Sequence, residues 1–369
     1  MENNFAVAIG DALEHYRDND WQDNWDYRRF GPYQPPSLIA RAKTGIKVFI
    51  KALLGSVGLY RNNKHVSMLV NEPEFQWLYE RLSDKESRQI LIDVLAYRVL
   101  GYRKVKLPLN TPEYWKKLEE LERKADTSDS IDLGFLGWKV ERYDLVDEGY
   151  PIQVYARASA VFTQMLIQQY RCITPDHVIE VGAGDTVIDA GGCYGDTALY
   201  FAHKAGGSGR VFSFEFMPDN ISVFNRNLEL NPALAKRIEI VPNPLWSSSG
   251  QKLYVEGVGP AAHITTSPKA ADANQVQTMK IDDLANSTQL ARVDFIKMDI
   301  EGAELEALKG AEESICRHRP KLAISIYHRL PDFWEIAQWV DGLGLGYRFY
   351  LRHFTIHAEE TVLFAEVSR

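Results

Sequence analysis

The sequence predicts an α/β protein: an open, mostly parallel sheet closed by an antiparallel hairpin, preceded by a mainly helical N-terminal region. Three observations predict it. From Val178 onward strand, turn and helix patterns alternate, as in a layered α/β domain. A glycine-rich turn, Asp189-Ala-Gly-Gly-Cys-Tyr-Gly-Asp-Thr197, joins one strand to its helix. The last two strand patterns, 347–352 and 361–367, have no helix between them and must pair as a hairpin, so one strand runs antiparallel.

The N-terminal region, residues 1–130, opens with a polar, aromatic, turn-rich stretch ending in Pro35-Pro36. Trp21, Trp25, Tyr27 and Tyr33 there are read as packing, with stacking on sugars as the alternative. Segment 38–65 carries Arg41, Lys43, Lys47, Lys51, Arg61 and Lys64 and no acid, interleaved with Ile46, Phe49, Leu53 and Leu54. It suits a basic amphipathic helix, either solvated with its apolar side packed inward or lying against a membrane surface. Three helix starts follow: Asn71-Glu72-Pro73, Ser83 with Glu86 at capping-box spacing, and Thr111-Pro112-Glu113. Residues 126–130 read as a linker.

The second domain, 131–369, begins with a lead-in over 131–177 that holds strand-like pieces and a helix over 158–170. Sheet strands are expected at 187–190, 211–214, 238–241, 293–298 and 321–326, with helices at 197–204, 218–231, 303–317 and 332–343. An irregular, β-rich insertion occupies 251–280.

The chain has 369 residues, 45% hydrophobic and 25% charged, which is ordinary globular composition. Its net charge of −8 disfavours a nucleic-acid partner, since phosphate backbones are held chiefly by Lys and Arg. Cys172, Cys193 and Cys316 are odd in number and lack metal-ligand spacing, so reduced thiols in a cytoplasmic protein are expected. No secretory leader is expected in the acidic first 20 residues, and no run of about 18 apolar residues suggests a membrane span.

At the 189–197 turn, glycine lets the backbone approach a ligand, and Asp196 and Thr197 stand where the helix N-terminus exposes N–H groups. Glu215, ending the next strand, can accept hydrogen bonds from two ribose hydroxyls. Asp189, Gly191, Gly192, Gly195, Asp196, Thr197 and Glu215, with Phe216 beside it, are the expected contacts of a nucleoside cofactor. Val178-Ile-Glu-Val-Gly182-Ala-Gly184-Asp185 is a decoy, because a strand and not a helix follows it. The same features would serve NAD, but the spacing fits G-x-G-x-x-G poorly, and the hairpin is the arrangement of class I, Rossmann-like methyltransferases.

The 293–298 strand ends in Lys297-Met-Asp299-Ile-Glu301-Gly-Ala-Glu304, and the next ends in Tyr327-His328-Arg329. Ligands of open α/β sheets bind beyond these carboxyl ends. Asp299, Glu301 and His328 are therefore the catalytic candidates. His328 can act as a general base oriented by Asp299 or Glu301, or Asp299 and Glu301 can hold a divalent cation such as Mg²⁺. Glu301 and Glu304 also fit a plain helix N-terminal role.

The stretches Val187–Thr197, Phe295–Glu304 and Glu360-Thr-Val-Leu-Phe364 resemble the FkbM family of methyltransferases, over roughly residues 178–367. The resemblance implies S-adenosylmethionine as cofactor and methylation of hydroxyl groups, on sugars of surface glycans and glycolipids or on natural products. Asp189, Gly191 and Gly195 match the family's cofactor loop, Glu215 its ribose acid, and Asp299, Glu301 and Gly302 its motif after strand four. Gly192-Cys193 departs from the Ala-Asn expected there. Three functions follow in order: O-methylation of a sugar hydroxyl on a bacterial surface polysaccharide or its lipid-linked precursor, O-methylation of a lipid or polyketide hydroxyl, and a non-catalytic binding protein on the same fold. If the basic segment contacts anionic lipid, such an enzyme would act on membrane-held substrate at the inner face of the membrane.

Overall fold

A computed structural model describes residues 4–19, 25–32, 71–135, 137–267 and 274–367. The basic segment 38–65, Trp21 and Tyr33 lie outside these residues. The described residues fall into two compact units, one drawn from positions up to 81, 85–110 and 355–358, the other from 82–84, 111–354 and 359 onward. The sequence put the break at 130, and the structure puts it near 110. The helix Pro112–Arg123 belongs with the second unit because its Leu118 and Leu121 are buried in that unit's core.

The first unit is helical, with helices Phe5–Arg17, Tyr27–Phe30, Glu72–Arg81 and Lys85–Leu100. Asn4 caps the first, accepting from Val7 N at 3.0 Å, and Phe5 stacks on Phe75 with ring centroids 5.5 Å apart. Trp25 is buried against Phe30 and Tyr102, and its indole N–H donates to the Gly31 carbonyl at 2.6 Å. That is core packing. Asp26 caps the Tyr27–Phe30 turn and faces His357 Nε2 at 3.0 Å, while the other ring nitrogen lies 3.1 Å from the Tyr97 hydroxyl. Burial alone would raise Asp26; the His357 contact and the Arg28 and Arg29 N–H groups outweigh it and hold the carboxyl low.

In the second unit, β1 (Asp126–Asp132), β2 (Lys139–Asp144) and β3 (Gln153–Ala156) form an antiparallel sheet. The stretch taken as a linker is thus an edge strand. Asp-Thr-Ser-Asp-Ser has no apolar alternation to betray it, and β1 exposes most of its side chains. The helix expected over 158–170 is one α turn, Ala158–Val161, and one π turn, Phe162–Leu166, stopped by Gln168 at φ 59°. Strands β4 (Cys172–Ile173) and β5 (Val178–Ile179) pair before the 182–185 turn, in which Gly182 N donates to Asp185 Oδ2 at 2.8 Å; the decoy motif is strand and turn.

The main sheet begins with β6 (Thr186–Ala190), β7 (Arg210–Phe214) and β8 (Ile238–Val241). The insertion supplies a small sheet of β9 (Lys252–Glu256), β10 (His263–Thr265) and β11 (Gln275–Gln277). Then come β12 (Phe295–Met298), β13 (Lys321–Ser325), β14 (Tyr347–His353) and β15 (Thr361–Val367). The order is β14-β15-β13-β12-β6-β7-β8, and β15 alone runs antiparallel to its neighbours. This is the class I arrangement that the hairpin predicted. The helix expected over 303–317 is split into Glu304–Lys309 and Glu312–His318. At the break, a Cβ on Gly310 would meet the Trp246 carbonyl oxygen at 2.1 Å.

The chain lays down β6, β7 and β8 toward one edge, then returns through β12 and β13 toward the other. The order therefore reverses between β6 and β12, and a crevice opens at their carboxyl ends. Both strands are wholly or almost wholly buried, as strands covered on two faces must be. No helix among the described residues is long and apolar enough to cross a membrane.

Candidate active site at the β6–β12 switch point

Gly191 follows β6 with φ +85°, and a Cβ there would sit 2.0 Å from the Asp299 carbonyl oxygen. Only glycine lets the loop after β6 lie against the loop after β12. Asp189 is completely buried beneath that loop. Its Oδ2 accepts from Thr197 Oγ1 at 3.0 Å and Ser213 Oγ at 2.8 Å, and its Oδ1 lies 3.1 Å from Lys297 Nζ. Lys297, also buried, donates to the carbonyls of Ala190 at 3.0 Å and Gly191 at 2.7 Å. Burial would push this ammonium down, yet Asp189 and Asp299 outweigh it and hold Lys297 above its ordinary value. Asp189 and Lys297 are thus a tether that fixes the loop from below, and the Thr197 hydroxyl is spent on the same tether.

Asp196 opens the helix Asp196–Ala205 and is nearly fully buried, which pushes its carboxyl up to about 6. Glu215 follows β7 and accepts from Phe216 N at 2.8 Å and Met217 N at 2.7 Å, so its carboxylate is fixed in place; burial raises it. An open cleft lies above these residues, lined by Gly191, Cys193, Glu215 and Phe216 on one side and Asp299 and Glu301 on the other. Asn243-Pro244-Leu245, after β8, and Gly259–Ile264, from the insertion, complete the lining. The sequence reading missed both. The first could have been found, since it follows a parallel strand at its carboxyl end.

Asp299 and Glu301, which line the cleft, follow β12, and Tyr327 and His328 follow β13 beside them. Glu301 (φ 57°) and Glu360 (φ 63°) hold left-handed backbone that non-glycine residues rarely adopt, a strain that clusters at working sites. Asp299 accepts from Tyr170 at 3.2 Å and Tyr327 at 3.1 Å. Tyr327 also reaches Glu360 at 3.4 Å, and Gln169 donates to the other Glu360 oxygen. His328, with its side chain only 7% exposed, stands in the middle. Its Nδ1 is 3.0 Å from Glu304 Oε1, an ion-pair contact without hydrogen-bond alignment. Its Nε2 is 3.4 Å from Asp299 and 3.7 Å from Glu301.

Burial alone would lower His328; Glu301, Glu304 and Asp299 reverse this and raise it to about 11. Burial and the Asp299 charge raise Glu360 to about 8. Three carboxyl groups therefore face one imidazole, and Glu360 joins the cluster through Tyr327. Arg329, the next cation along, is engaged with Asp332 at 2.6 Å. Glu304 begins the helix Glu304–Lys309 and accepts from Ile300 N at 2.9 Å, so it serves the helix start as well as facing His328.

Residues 180–349 match the family model described as the methyltransferase FkbM domain. The chain carries an FkbM methyltransferase domain. A crystal structure of methyltransferase FkbM from Methylobacillus flagellatus aligns with a TM-score of 0.50 at 23% identity, covering 84% of this chain and 64% of that one. At that identity the likeness establishes the fold, and this chain spans under two-thirds of the solved protein's length. Among curated relatives, methyltransferase sdnD of Sordaria araneosa is 28% identical over 39% of this chain and 68% of its own. Hexuronic acid methyltransferase AglP of Haloferax volcanii is 29% identical over 37% of this chain and 54% of its own. The FkbM domain includes the glycine loop, Glu215 and the Asp299–His328 cluster; Glu360 follows its matched end.

Proposed function

We propose that this FkbM-domain protein is an S-adenosylmethionine-dependent O-methyltransferase whose acceptor is a sugar hydroxyl. The observation that carries the reading is that Asp299 and Glu301 line the same cleft as Gly191 and Glu215. The cleft fits an adenosyl cofactor by its own chemistry. Glu215 is a fixed acceptor for a ribose diol, Phe216, Leu245 and Ile264 offer apolar surface for a base, and the Gly191 turn admits a ligand close to backbone. When bound, the cofactor would supply an electrophilic methyl group on a sulfonium centre.

The chain's own residues then have three tasks. The Asp189–Lys297 tether keeps the glycine loop fixed, so that proximity is prearranged. Asp299, held by Tyr170 and Tyr327, receives the acceptor hydroxyl's proton, a role of the order of 10²–10⁴ in rate. His328 keeps its own proton in the metal-free protein, so we assign it to holding Asp299 and Glu301 in place and not to accepting protons. A sugar acceptor is supported by the name of the Haloferax relative, a hexuronic acid methyltransferase. The test is transfer of labelled methyl from S-adenosylmethionine to a panel of uronic acids, deoxysugars and lipid or polyketide alcohols. Label on sugars alone is the expected result, and label only on the lipid or polyketide alcohols would overturn the acceptor assignment.

A further inference from the structure

Three carboxylates, Asp299, Glu301 and Glu304, face the single imidazole of His328, while Lys297 contacts Asp189 directly and Arg329 contacts Asp332. The geometry inside the cluster is specific. Nε2 of His328 is buried, makes no hydrogen bond, and points at Asp299 and Glu301 from 3.4 and 3.7 Å. Those separations are longer than the roughly 2.7–3.2 Å usual for an N–H···O hydrogen bond. They are close to the roughly 3.0–3.5 Å expected between two donors that share one cation at about 2.1 Å. Donor atoms of Asp299, Glu304 and His328 all lie within 4.8 Å of one another. Behind the ring, Glu304 faces Nδ1 at 3.0 Å, and its second oxygen is buried with no partner. A carboxylate behind a histidine ring is the usual support of a metal-binding imidazole.

We propose that a divalent transition-metal cation of the Mn²⁺ or Zn²⁺ class binds between His328 Nε2 and Asp299. Nε2 and Asp299 are its ligands, Glu301 stands at the third position, and Glu304 orients the ring from behind. One imidazole with two carboxylates favours this class over Mg²⁺, which prefers an all-oxygen shell rich in water. The cation takes the place of the Nε2 proton and leaves its open positions toward the cleft, where a hydroxyl oxygen would be polarised. The cation's role in methyl transfer rests on the function proposed above; its binding does not.

The experiment is calorimetric titration of the untagged, metal-stripped full chain with Mn²⁺, Zn²⁺ and Mg²⁺ separately, without cofactor. About one Mn²⁺ or Zn²⁺ per chain is expected, with Mg²⁺ at least tenfold weaker. His328→Gln and Asp299→Ala should each weaken binding a hundredfold or more, and Glu304→Gln by roughly 10–100-fold, with circular dichroism confirming that the variants fold. No uptake by the wild-type chain, or uptake unchanged in folded His328→Gln, would overturn the site. Cofactor binding is measured separately with S-adenosylhomocysteine, so a failure of the metal site and a failure of the methyltransferase reading are distinguishable.

Discussion

Asp189 and Asp299 leave neighbouring strands at almost the same level of the sheet, Asp189 pairing in register with Lys297 two residues before Asp299. Their surroundings differ completely. Asp189 is sealed from solvent and balanced by one ammonium and two hydroxyls. Asp299 has a 20% exposed side chain, opens on the cleft and shares its surroundings with three further carboxyls and one imidazole. A buried carboxylate balanced by an ammonium and two hydroxyl donors is scaffold. Carboxyls crowded together cost stability, and such a cluster at a cleft is a candidate functional site.

The largest expected effect breaks the functional side alone. Asp299→Ala should lower kcat/KM by about 10²–10⁴ and leave the thermal midpoint nearly unchanged. A loss of folding with no selective loss of turnover would make Asp299 scaffold as well. The converse change, Lys297→Met, removes the ammonium facing Asp189 and should destabilise the fold by about 3–5 kcal/mol in urea denaturation. Adding Asp189→Asn should recover a good part of that loss, because the stranded charge is gone. Failure of the double variant to recover would locate the effect in the orphaned Ala190 and Gly191 carbonyls.

A smaller effect sharpens the boundary between the two regions. Asp196 is pushed to about 6, chiefly by burial and further by the Asp189 charge. Its folded value exceeds the ordinary 3.8, so the folded state holds the proton more tightly and stability falls as pH rises from about 4 through 6. Asp196→Asn should therefore raise the thermal midpoint by a few degrees at pH 7.5 and have little effect at pH 4. An equal shift at both pH values would remove the charge explanation.

How much of this was legible in the sequence differs between the two regions for a physical reason. The glycine turn, Glu215 and the 297–304 motif are local, and each sits at a strand end that hydrophobic periodicity reveals. The closing hairpin was legible for the same reason. The partners of Asp299 are not local: Tyr170 lies 129 positions away, and nothing near it in sequence points across the sheet. Lys297 reads as an ordinary strand residue until β6 is laid beside β12. Glu360 entered only through family likeness, and Leu245 and the Gly259–Ile264 segment line the cleft without any motif. Edge strand β1 was hidden by its polar composition, and the unit break near 110 by helices that look alike on both sides of it.

The central claim is that the β6–β12 crevice is the cofactor site of a methyltransferase. The most direct test is calorimetric titration of the full chain with S-adenosylhomocysteine, with NAD as control. The account predicts micromolar binding of S-adenosylhomocysteine alone, retained in Asp299→Ala and weakened in Gly191→Ala. Binding of NAD with none of S-adenosylhomocysteine would contradict it.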